Sequence, residues 1–176
     1  MYNCGDIGFA VIGCGLISSF HIAAIDAING AVLCGVYDSN KEIAKKTACE
    51  HNVKAYPSLD VLLSDPNVNA VCICTPSYLH GRMAIDAISA GKSVLIEKPI
   101  ALSLEECDLI ETLAREKNVQ VGVVSQLRFS PVFSKVYRAL EQGLLGRQTR
   151  IDLYMKYFRT QEYYDNGGWR GTADKD

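Results

Sequence analysis

The chain has 176 residues, 48% of them hydrophobic and 22% charged, with a formal net charge of -2. That composition describes one globular domain, or one domain and part of another. It lacks the basic surplus of a nucleic-acid or anionic-membrane binder, and no apolar run reaches the length of a membrane span. The seven cysteines are scattered without a C-x-x-C pair and the three histidines stand apart, so neither a disulfide framework nor a metal site is expected. The opening "MYNCGDIGFAVIGCG" has no charged start or cleavage site of a secretory leader, and a cytoplasmic protein is expected.

In chain order, "IGFAVIG" reads as a short apolar strand ending in glycine. A helix follows, with Ile17, Phe20, Ala24 and Ile28 spaced for one apolar face. "AVLCGVYD" is a second strand, after which Ser39 and Glu42 form a capping-box pair that opens a helix. "YPSLDVLLSDPN" is a short helical connection, and "AVCICTP" a third strand with Cys72 and Cys74 on one face. Ser77 is the expected N-cap of a helix reaching about Ala90, and "SVLIE" is a fourth strand. Ser103 and Glu106 make another capping box, for a helix to about Asn118 with Leu104, Cys107, Leu113 and Ala114 inside; "VQVGVV" is the next strand. Strands alternating with helices over residues 1–124 predict an α/β fold, a doubly wound parallel sheet of Rossmann type. After Val124 the pattern changes. "FSPVFSKVYRALEQG" reads as a helix and "RQTRIDLYMKYFRT" as a long strand with Ile151, Leu153 and Met155 on one covered face. Residues 125–176 are therefore expected to start an incomplete α+β second domain.

Gly13-x-Gly15-x-x-Ser18 lies between the first strand and helix. A turn of this kind brings backbone N–H groups to a pyrophosphate at a helix N-terminus. Its residues Gly13, Cys14, Gly15, Leu16 and Ile17 are the candidate phosphate loop, with Ser18 small enough for close packing where glycine is more usual. Asp38 ends the second strand, where an acid accepts hydrogen bonds from the adenosine ribose and repels a 2′-phosphate. This favours NAD over NADP, although Lys41 is near. The plain alternative is a tight turn and a helix cap, and a methyltransferase would use the same elements. Ligands of such sheets sit beyond the carboxyl ends of the strands, where Thr75, Pro76, Glu97 and Lys98 also fall.

The segments "VIGCGLIS", "VYD", "VCICTPSYLHGRMAIDAISAGKSVLIEKP" and "GGWRGT" together resemble the Gfo/Idh/MocA superfamily of glucose–fructose oxidoreductase and inositol dehydrogenase. The resemblance covers essentially the whole chain. It implies hydride transfer between NAD(P) and a hydroxyl of a sugar, nucleotide sugar or polyol, with Lys98 at the reacting hydroxyl and the nicotinamide ribose. It implies that Glu97 helps place the nicotinamide end, that Pro99 fixes the turn, and that Thr75 and Pro76 line the adenosine side. His80 would be a pocket residue, or simply a helix-start residue. Gln126 and Arg128 would flank the nicotinamide, or form a polar cluster at a domain junction. Trp169 and Arg170 would lie over the cofactor, or serve as a packing anchor. Relatives carry a longer second domain whose histidine partners the lysine, and this chain stops at Asp176 where that segment would begin. The expected consequence is an exposed strand at residues 151–158 that self-associates into a homo-oligomer, or a disordered tail. A non-catalytic NAD(P)-binding sensor on the same scaffold is the alternative function.

Overall fold

The structure is a computed structural model and describes residues 6–165 and 168–176. Residues 1–5 of the opening stretch and Gly167 of "GGWRGT" lie outside the described residues.

Six parallel strands form one sheet: β1 (Ile7–Ile12), β2 (Ala31–Tyr37), β3 (Lys54–Ala55), β4 (Ala70–Ile73), β5 (Ser93–Ile96) and β6 (Val121–Val123), in the order β3-β2-β1-β4-β5-β6. Helices α1 (Ser18–Ala27), α2 (Lys41–Glu50), α3 (Leu59–Leu63), α4 (His80–Ser89) and α5 (Leu104–Lys117) make the crossovers. The sheet is covered on both faces, which is why β4 reads as an unbroken apolar run with all four residues buried. One core joins Ala10, Ile12, Val71 and Ile73 to Ala84, Ile88 and Ile110; the other joins Val11, Val36 and Cys72 to Ile22 and Ile25. This is the doubly wound fold that the alternation predicted. The strand order reverses between β1 and β4, and such a switch point opens a crevice at the carboxyl ends.

Several local expectations change. The inward face of α1 is Ser18, His21, Ile22 and Ile25, whereas Phe20 is 67% exposed and Ile28 58%. Both stripes have helical spacing, and the glycine turn decides between them because it sets Ser18 against the sheet. Asn40, not Ser39, caps α2, its side chain accepting from the Glu42 and Ile43 N–H groups. Ser77 opens a 3₁₀ turn (Ser77–Leu79) and gives α4 no side-chain cap. Ser103 does cap α5, and Asn118 ends that helix in the left-handed conformation. Leu104, expected inside, is 78% exposed because it stands in the first turn, outside the face that buries Ile110.

Beyond β6 come a second 3₁₀ turn (Gln126–Phe129), α6 (Pro131–Glu141) and the short α7 (Gln161–Asp165). The predicted strand over residues 151–158 does not form: these residues are exposed and belong to no helix or strand. A strand exists only when a neighbour takes up its N–H and C=O groups, and the described residues offer this segment none.

Candidate NAD-binding site

One register row builds the site. Tyr37, Ile12, Ile73, Ile96 and Val123 are successive partners across β2, β1, β4, β5 and β6. The residues that follow them, Asp38, Gly13, Cys74-Thr75, Glu97-Lys98 and Val124, therefore leave the sheet side by side.

At the switch point Gly13 takes φ +92, a backbone conformation L side chains rarely adopt, and its N–H donates to the Tyr37 carbonyl at 2.8 Å. A Cβ there would stand 2.8 Å from the Cys74 carbonyl oxygen and 3.0 Å from Thr75 Cγ2, so only glycine lets the two strand ends meet. Gly15 differs: a Cβ would meet nothing within 4 Å, and its hydrogen faces open space at the mouth of α1. Ser18 closes the turn by donating from Oγ to the Gly15 carbonyl at 2.5 Å. Leu16 and Ile17 project outward, Leu16 at 86% exposure.

The Asp38 carboxylate is fixed by backbone, accepting from the Cys14 N–H and from the Asn40 N–H, each at 2.8 Å. It is only half-buried, so lone pairs remain for hydroxyl donors. The Cys14 thiol is pushed up to about 11, first by burial and then by Asp38, and burial pushes Cys72 up to about 12. Cys74 is driven higher still by burial, with Cys72, Glu97 and Cys14 adding to it. These thiols stay protonated at neutral pH and act as small apolar fillers beneath the site.

The residues present fit a bound dinucleotide. Thr75 Oγ1 is buried without a hydrogen-bond partner, an arrangement that costs free energy unless something outside the chain takes it up. It lies against the glycine turn, beside the opening that Gly15 leaves.

A model of an oxidoreductase family with an NAD-binding Rossmann fold matches residues 7–125. The chain belongs to this family. The chain is 34% identical over 144 residues to scyllo-inositol 2-dehydrogenase (NAD(+)) of Bacillus subtilis, covering 78% of itself and 41% of that protein. It is 37% identical over 129 residues to UDP-N-acetylglucosamine 3-dehydrogenase of Acidithiobacillus ferrooxidans, covering 73% and 40%. The crystal structure of the WlbA dehydrogenase from Bordetella pertussis, in complex with NADH and UDP-GlcNAcA, superposes with a TM-score of 0.88 at 34% identity, over 97% of this chain and 50% of that one. The chain thus spans about 40% of these curated relatives and half of that solved chain.

The remaining expected residues divide sharply. Lys98 is exposed, and among the described residues no side chain pairs with its ammonium. Glu97 turns the other way: it is buried, and its Oε1 lies 2.9 Å from Nε2 of the equally buried His21 on α1. That contact explains how an apolar strand can end in Glu-Lys-Pro, one charge paired inside and the other delivered to the rim. The Lys98–Pro99 peptide is cis. His80, expected to line the pocket, is only 1% exposed and uses both ring nitrogens internally, Nδ1 at 2.6 Å from the Pro99 carbonyl and Nε2 at 2.8 Å from that of Thr75. Neither nitrogen is left for a bound molecule. Pro76 is half-buried beside it.

The Val124 N–H donates to the Ile96 carbonyl at 2.8 Å, which brings the exposed Gln126 and Arg128 to the β6 side of the Lys98 turn. Trp169 and Arg170 instead gather around α7: the Arg170 guanidinium stacks on the rings of Tyr163 and Trp169 and donates to the Tyr163 carbonyl. His21 was missed in the sequence. The signal was there, since Ser18 on the inward face puts His21, one turn later, beneath a strand that buries an acid.

Proposed function

We propose that this chain is the NAD-binding part of a dehydrogenase that transfers a hydride between nicotinamide and a hydroxyl of a sugar, nucleotide sugar or polyol. The observation that carries the reading is the register row, which sets the glycine turn, Asp38, Thr75 and an unpaired Lys98 on one rim. The N–H groups at the start of α1 and the Gly15 opening would hold the pyrophosphate, Asp38 the adenosine ribose and Thr75 Oγ1 a neighbouring acceptor. When bound, nicotinamide supplies the two-electron acceptor for the substrate's hydride. Lys98 Nζ would hold or move the hydroxyl proton. Gln126 would flank the nicotinamide, and residues 1–124 form the NAD-binding unit, with residues 125–176 beginning a second region. The family's NAD chemistry and the relatives named for inositol and UDP-N-acetylglucosamine support this. The described thiols of Cys14, Cys49, Cys72, Cys74 and Cys107 are in no disulfide, which fits a reducing, cytoplasmic setting.

The test is turnover of NAD with scyllo-inositol and UDP-N-acetylglucosamine derivatives by the whole protein that carries this chain, alongside Lys98→Ala. Turnover that falls more than about 100-fold in Lys98→Ala, with NADH binding retained, supports the assignment. A whole protein that binds no NADH, or a variant with undiminished turnover, overturns it. NADH binding without oxidation of any polyol or nucleotide sugar would favour the sensor.

A further inference from the structure

Lys98 stands between two residues that are each tied to a buried histidine. On one side the Glu97 carboxylate meets His21 Nε2 at 2.9 Å, with both side chains at or below 11% exposure. His21 sits on α1, three residues after Ser18, which closes the glycine turn. On the other side the Pro99 carbonyl meets His80 Nδ1 at 2.6 Å, and the opposite ring nitrogen holds the Thr75 carbonyl at 2.8 Å. The backbone adds one further tie here, from the Glu97 N–H to the Ile73 carbonyl at 3.0 Å. Three loops of the rim are thus joined through two imidazoles, and the free Lys98 side chain lies at their junction.

We propose that His21 and His80 are positioning residues, a two-sided brace that sets where the Lys98 amine stands relative to the glycine turn and Thr75. The inference deepens the proposed function, because it rests on Lys98 being the reacting-group lysine. The chemistry gives a reason for the arrangement. A lysine side chain has four rotatable carbons and no fixed geometry of its own, and a misplacement on the order of 1 Å at a reacting group can cost about 100-fold in rate. Precision must then come from the backbone that carries it. The ladder pairing of β5 ends at Ile96, so side chains from neighbouring elements supply the restraint beyond it. Histidine suits the task because its ring is rigid and its two nitrogens point in different directions, so that each His80 nitrogen faces a carbonyl oxygen of a different loop. A carbonyl oxygen only accepts, so a neutral ring donates to one of the two and only an imidazolium donates to both.

The test reads Lys98 directly and needs no turnover. Reductive methylation of the full chain with 13C-formaldehyde labels its lysines, and the Lys98 signal is the one lost in Lys98→Arg. His21→Leu and His80→Leu are expected to displace that signal from its wild-type position, while His21→Gln, whose amide can reach Glu97, restores it. His80→Asn retains a donor near the Nδ1 position and His80→Gln one near Nε2, so the two should differ, with the Asn variant closer to wild type. A purely structural histidine would lower the unfolding midpoint and leave the Lys98 signal of the folded protein unmoved; overlaid signals overturn the proposal. If both leucine variants fail to fold, the Asn and Gln variants decide, and identical Lys98 signals in those two sink it. NADH titration of the same wild-type sample keeps the two readings apart. Absent binding there defeats the functional reading, while the brace still stands or falls on the Lys98 signal.

Discussion

Gly13 and Gly15 are two residues apart and look equivalent in the motif, yet the fold asks different things of them. Gly13 has a positive φ and no room for a Cβ against Cys74 and Thr75, whereas Gly15 has open space around it. Gly13→Ala should therefore destabilise the protein by about 1–3 kcal/mol, the usual range for a strained backbone position. Gly15→Ala should leave stability within about 0.5 kcal/mol, but its methyl enters the space where a pyrophosphate would approach the helix mouth. Urea unfolding and NADH titration on both variants check this. A Gly15→Ala protein that unfolds as early as Gly13→Ala would show that the opening is a structural gap and not a ligand cradle. The same scale separates Thr75 from Ser18: one hydroxyl is paired within the turn, and the other is buried with no partner.

At the scale of elements, one carboxylate gathers four donors at the turn between α3 and β4. Asp65 accepts from Lys54 Nζ and Tyr56 Oη at 2.9 Å each on one oxygen, and from the Asn67 N–H and Nδ2 at 3.0 and 3.1 Å on the other. Lys54 first, then the Asn67 N–H, hold this carboxyl well below the usual carboxylate range. A depressed folded-state value means that the contribution to stability is present above the unfolded value, near 3.8, and is lost as pH falls through the folded one. Asp65→Asn should thus cost about 1–2 kcal/mol at neutral pH, and the gap from wild type should close as pH drops below about 4. Urea midpoints measured across that range decide it; a gap that stays constant would mean the carboxylate's charge contributes nothing. Elements of this half were legible where several signals agreed. Ser103 with Glu106 marked α5, and the apolar runs marked β1, β2, β4 and β5. The cap of α2 was misplaced by one residue because Ser39 and Asn40 are both good cap formers, and only the end of β2 decides which one faces the helix. The rim residues were legible because parallel strands bring their ends together. The directions of Glu97 and His80 were not, since inward or outward depends on partners distant in sequence.

For the molecule as a whole, burial and exposure are distributed unevenly along the chain. Among the described residues the last buried one is Ile110, yet Ile151, Leu153, Tyr154, Tyr157 and Phe158 lie between 68% and 85% exposed, as does Leu144 at 71%. The alternation that suggested a strand is present there, but alternation specifies only which face would be covered, and a strand also needs a neighbour to pair with. Apolar surface of this extent, on a segment with unpaired backbone groups, favours contact with another chain. The chain should therefore self-associate with rising concentration, and removing residues 144–176 should abolish that while leaving the unfolding free energy of the sheet within about 1 kcal/mol, because no side chain among the described residues of that segment is buried. Sedimentation velocity on both lengths, paired with urea unfolding, makes the check. Equal sedimentation of the two as monomers would remove residues 151–158 as an association surface. A large loss of stability on shortening would instead mean that the tail lies against the NAD-binding unit and protects it.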